Sequence, residues 1–139
     1  MKTFTSNRKI PAAPAIIFAA FKNPEILAKW WGPAGFTNTF SEFDFKKAGK
    51  WIFTMHGPDG KNYPNESVFM EIIPVEKIVI RHIVQPLFTL TIRISETKNG
   101  SMIFWEQEFD NEEVAENVAH IVIPSNEQNL DRLTAIVCQ

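Results

Sequence analysis

Between residues 36 and 109 large apolar side chains recur at every second position, the period of a strand with one buried face. Phe36, Asn38 and Phe40 alternate with Thr37, Thr39 and Ser41, and Phe43 and Phe45 follow. After a turn at Ala48-Gly49-Lys50, Trp51, Phe53 and Met55 alternate with Ile52, Thr54 and His56. Gly57-Pro58-Asp59-Gly60 places Asp and Gly where a tight hairpin needs them. Further strands are predicted over 66–73, stopped by Pro74, and over 77–84, stopped by Gln85-Pro86. A strand over 87–95, a turn at Lys98-Asn99-Gly100 and a strand over 101–109 complete the run. In the last of these, Glu106 and Glu108 alternate with Ile103, Trp105, Gln107 and Phe109, so the latter set faces inward.

The flanks read differently. Residues 3–9 form a first strand, closed by Pro11 and Pro14. Residues 15–21 carry apolar side chains at helical spacing, with Pro14 suited to the first turn. A second short helix starts with Asn23 as cap and Pro24 at its first position, runs through Trp30-Trp31 and ends at Gly32-Pro33. Adjacent helical residues diverge, so only one of Trp30 and Trp31 is expected to face the core. Beyond Asp110 the chain turns helical, with Glu112 and Glu113 in a first turn that favours acidic groups. Pro124 is expected to interrupt that helix. Ser125 and Gln128 then read as a capping box for a final helix over 126–138, long enough at about 20 Å to cross a curled sheet. Its stripe is Leu130, Leu133, Ile136 and Val137, with Asn126, Asp131, Arg132 and Gln139 facing mostly elsewhere.

Strands joined by short turns make an antiparallel meander. A sheet that long must curl, and its concave face needs a cover. The terminal helix is the one cover late enough in the chain to lie across it. The expected class is therefore α+β: a curved antiparallel sheet of six to seven strands around a C-terminal helix, with two short helices after the first strand. The 139 residues suit one domain over 1–139, with no linker or internal repeat.

Composition narrows the function. The net charge is −2, from 14 basic and 16 acidic residues, which gives no electrostatic reason to expect nucleic acid. No apolar run approaches the ~18 residues that span a membrane, and Met1–Lys9 lacks the apolar stretch of a signal peptide. With a single cysteine, Cys138, these features lead to the expectation of a cytoplasmic protein. The unusual feature is 12 Phe and 4 Trp against one Tyr. Phe has no polar handle, so these rings must be buried or line a cavity.

Reaction chemistry is sparse. His56, His82 and His120 are not at ligand spacing, so neither metal nor cofactor is expected. The hairpin at 57–60 lacks the Lys and following helix of a phosphate cradle, and no nucleophile elbow is present. His56 and His82 stand within strands among apolar neighbours, where an imidazole could orient a ligand or move a proton. Arg81 and His82 point to opposite faces, so one of them is inward; periodicity does not say which.

Four ordered segments resemble the START-like (helix-grip) superfamily, and within it the bacterial domains related to the activator of the heat-shock chaperone ATPase. They are residues 23–33 with Gly35-Phe36-Thr37, residues 48–60, residues 71–82, and Asn129-Leu130-Asp131-Arg132-Leu133. Two departures stand near the expected pocket mouth. Pro124 to Gln128 occupy the place of a Gly-Trp pair, and Glu66-Ser67 the place of a glycine. The resemblance implies an internal cavity. With the aromatic surplus it leads to the expectation of a small hydrophobic ligand, held without catalysis or with weak catalysis. The expected lining is Trp31, Trp51, Met55, Phe88, Trp105, Phe109 and Leu133, with His56 or His82 to orient the ligand. Such a site calls for roughly 300 Å³. Two alternatives accompany it: a chaperone-associated protein-interaction domain, and a cyclase or hydrolase working through a pocket histidine. A homodimer is left open.

Overall fold

The computed structural model describes residues 2–139, and its elements follow the predicted order. β1 (Lys2–Ile10) leads to α1 (Pro14–Lys22) and α2 (Pro24–Trp30). The meander follows: β2 (Thr37–Phe43), β3 (Lys50–His56), β4 (Asn62–Ile73), β5 (Lys77–His82), β6 (Phe88–Thr97) and β7 (Gly100–Phe109). α3 (Glu112–Val137) ends the chain. The strands form one antiparallel sheet in the order β1-β7-β6-β5-β4-β3-β2. The first strand thus returns to pair with the last, and α1 and α2 link the two sheet edges.

Local chemistry explains most boundaries. Asn23 caps α2 by accepting hydrogen bonds from the Glu25 and Ile26 amides. Asn111 caps α3 by accepting from Val114 N–H at 2.9 Å. Register shifts between Phe40 and Glu42, and between Phe69 and Glu71, mark bulges that bend β2 and β4. Both bends lie beside the rings that fill the concave face, where Trp51 stacks on Phe53 at 4.3 Å and on Phe69 at 5.9 Å.

Three expectations need correction. First, β4 starts at Asn62, not residue 66, despite Pro64. Its residues 62–66 pair with β3, whereas pairing with β5 begins only at Ser67, so Pro64 lies where no second strand requires its N–H. Second, Trp30 and Trp31 are both buried. Trp31 is the helix cap, with extended backbone angles, so helical divergence no longer applies to the pair. Third, Pro124 does not interrupt the helix. It lies inside a continuous α3 of 26 residues, and Ser125 is an interior residue, not a cap. Pro124 and His120 are both exposed, so the carbonyl that loses its partner faces water.

The main core joins the sheet's concave face to α1, α2 and the C-terminal half of α3, with Leu130 and Leu133 fully buried. The N-terminal half of α3 packs in a separate small cluster of Phe4, Phe109 and Ala115.

Candidate functional site

β3 to β7 bring their inward side chains to one end of the sheet, and α3 closes over them. Between the two lies a chamber of about 140 Å³. Trp31, Trp51, Met55, His82, Phe88 and Trp105 line it; for Trp51, Met55 and Trp105 this is the face that the alternation of β3 and β7 leads one to expect. Trp31 is the central ring, 5.0 Å from Trp51 and 5.6 Å from Trp105. The chamber continues outward into a groove of about 530 Å³, with which it shares Met55, Asn65, His82, Gln107 and Asn126. Phe36, Tyr63 and Ile121 flank that groove. The chamber alone is therefore smaller than the expected site, and a larger ligand would extend into the groove.

The loop between α2 and β2 forms one wall, and α3 fixes it in place. Gly32 N–H donates to Asn129 Oδ1 at 3.2 Å, and Ala34 N–H to Gln128 Oε1 at 3.1 Å. Arg132 donates to five backbone carbonyls, those of Lys29, Trp31, Gly32, Pro33 and Phe36, at 2.7 to 3.1 Å. Among the described residues no carboxylate pairs with it, and desolvation draws its pKa below the usual value. Gly32 has a φ of +97°, and a Cβ there would stand 2.6 Å from the Met55 methyl carbon, so glycine is needed for this approach.

His82 is the inward member of its pair. Its ring stacks on Phe88 with centroids 4.5 Å apart, and burial holds its pKa below the ordinary imidazole value. Nδ1 lies 2.8 Å from the Pro86 carbonyl, which can only accept, so Nδ1 carries the proton. Nε2 lies 2.8 Å from Asn65 Oδ1, while Asn65 Nδ2 donates to Tyr63 O. Arg81 points out, bound through two parallel contacts of 2.7 and 2.6 Å to Asp110.

Three residues expected at the site lie elsewhere. His56 is on the opposite face of β3, bridging Thr39 at 2.8 Å and Asn62 at 2.6 Å, because it follows Met55 by one position. Phe109 is buried in the small cluster with Phe4, and Leu133 is buried in the main core away from the chamber. In their place the chamber gains polar side chains that periodicity did not single out: Ser67, Asn126 and Asn129, all buried, with Gln107 beside them. Asn126 donates to Gln107 at 3.1 Å. Asn126 and Arg132, expected to face away, both turn inward. Asn126 falls four residues before the buried Leu130, and Asn129 four before the buried Leu133, the spacing that could have revealed them. The Nε1–H groups of Trp51 and Trp105 are buried without an acceptor among the described residues.

A curved antiparallel sheet gripping a long C-terminal helix over an internal chamber defines a helix-grip, START-like domain. The chain matches the family described as Activator of Hsp90 ATPase homolog 1-like protein over residues 11–138, and it belongs to that family. A protein from Chromobacterium violaceum has 23% identity and a TM-score of 0.86, over 98% of this chain and 97% of its own. A protein from Arthrobacter aurescens has 19% identity and a TM-score of 0.89, over 98% and 86%. The AHSA1-like protein from Aeromonas hydrophila has 16% identity and a TM-score of 0.78, over 98% and 92%. At these identities the likeness concerns the fold. No curated protein matches the chain. Among the described residues no helix is long and apolar enough to cross a membrane, and no group of three or more His, Cys, Asp or Glu side chains is placed to share a metal ion.

Proposed function

We propose that this domain binds a small hydrophobic molecule, with one ring in the chamber and any remainder along the groove toward α3. The observation that carries the reading is the chamber itself: three indole rings and Phe88 enclose about 140 Å³ that the side chains leave unfilled. A cavity near 150 Å³ is large enough for a benzene-sized guest. Trp31, Trp51, Met55, His82, Phe88 and Trp105 would make the contacts. His82 serves as a wall and a mouth-side anchor, not as a proton carrier, since both ring nitrogens already face partners. His56 lies on the other face and takes no part.

Because Trp31, Trp51 and Trp105 line the chamber, a guest reports itself. Titration with indole or naphthalene should change tryptophan emission saturably, and should raise the melting temperature as a ligand of the folded state does. A flat emission signal and an unmoved melting temperature across a panel of one- and two-ring compounds would sink the reading.

A further inference from the structure

Resting on that cavity reading, we infer that the ligand is an uncharged ring compound carrying an acceptor oxygen, of the aryl ketone class, and that Ser67 and Asn129 receive that oxygen. Charged residues make up 22% of the chain, yet neither the chamber nor the groove is lined by a single Asp, Glu, Lys or Arg. Arg132 stands behind the loop with its guanidinium already committed to five carbonyls. Burial lowers the His82 pKa, which disfavours its charged form. A carboxylate, phosphate or ammonium entering the chamber would lose its water and meet no counter-charge, which is costly.

The wall is not purely apolar, however, and donors are among its polar groups. The Ser67 hydroxyl, on a residue 3% exposed, lines the chamber with no protein hydrogen bond among the described residues. Asn129, 6% exposed, uses its Oδ1 to accept from Gly32, which leaves its NH₂ group to donate. Trp51 and Trp105 belong to the same wall, and their buried indole N–H groups have no acceptor among the described residues. Unpaired buried donors favour a guest that supplies an acceptor. Ser67 comes from β4 and Asn129 from α3, so they approach from the two sides that enclose the chamber. A ketone oxygen beside one ring matches these donors, the volume and the absence of charge together.

The test compares three probes of one shape, acetophenone, ethylbenzene and benzoate, by tryptophan emission on the full chain and on Ser67→Ala. Acetophenone should bind most tightly and benzoate at least tenfold more weakly. Ser67→Ala should weaken acetophenone about fivefold while leaving ethylbenzene unchanged. Benzoate binding as well as acetophenone overturns the uncharged class. Ethylbenzene matching acetophenone, with Ser67→Ala affecting neither, overturns the acceptor while the cavity reading stands. If no probe binds, the cavity reading falls and takes this inference with it. Melting curves of Ser67→Ala establish that any loss is not one of folding.

Discussion

At the scale of single residues, Arg132 does the most structural work per side chain. Its guanidinium replaces a shell of water with five carbonyl oxygens from the end of α2 and the following loop. Trp31 O also accepts from Asn38, and Pro33 O from the Phe36 N–H. Those carbonyls sit at a helix C-terminus, where a cation is favoured. Lysine cannot replace it, since one ammonium has three donors and no fork. Arg132→Met should therefore lower unfolding stability by about 3 kcal/mol in urea titration, and Arg132→Lys should recover less than half of that loss. Because the same loop presents Trp31, Gly32 and Pro33 to the chamber, Arg132→Met should also weaken indole binding. A variant as stable as the parent would show that the loop holds its place without this pin.

At the scale of elements, α3 is the instructive case. Proline within a helix removes one hydrogen bond and crowds the preceding turn, a cost of about 3 kcal/mol relative to alanine. α3 persists through Pro124 because its two halves are held separately. Ala115 is buried with Phe4 and Phe109 on one side, and Leu130 and Leu133 are buried in the main core on the other. Pro124 is itself exposed, so nothing packs against its ring that alanine would lose. Pro124→Ala should raise stability by about 2 kcal/mol and increase helical circular dichroism; a neutral result would mean that the helix bends to relieve the strain. The strands were readable because Trp51, Phe53 and Met55, or Ile103, Trp105 and Gln107, repeat at a period that only a strand presents to one face. Hairpin turns and the Asn23 cap were readable for the same local reason. What sequence could not show is tertiary support. Pro124 obeys its local preference only until burial on both sides outweighs it. The chamber was legible in its aromatic wall and illegible in its polar one. Ser67 and Asn126 stand out only as departures near the expected pocket mouth, and no alternation marks Asn129 as a wall residue until the fold places it beside them.

At the scale of the whole molecule, the two clusters divide the domain unevenly. The main core binds the sheet, α1, α2 and the C-terminal half of α3 into one unit with several fully buried large side chains. The N-terminal half of α3 rests on three buried residues, and leaves Ile121 and Ile123 more than half exposed. Segments with few buried contacts open at lower free energy than the global unit. Amides of residues 127–137 should then exchange with solvent near the rate set by global unfolding, while those of 113–123 exchange faster, through opening of this half alone. The groove runs beside Ile121, Val122, Ser125 and Asn126, so a guest occupying it contacts the half that opens. Binding free energy added to the closed form is subtracted from the opening equilibrium of that segment first. Hydrogen exchange read by mass spectrometry should therefore show that naphthalene, long enough to reach the groove, protects 113–123 more than it protects β5 or β6. Uniform protection across the molecule would mean instead that the helix and sheet open together, and that guests enter by another route.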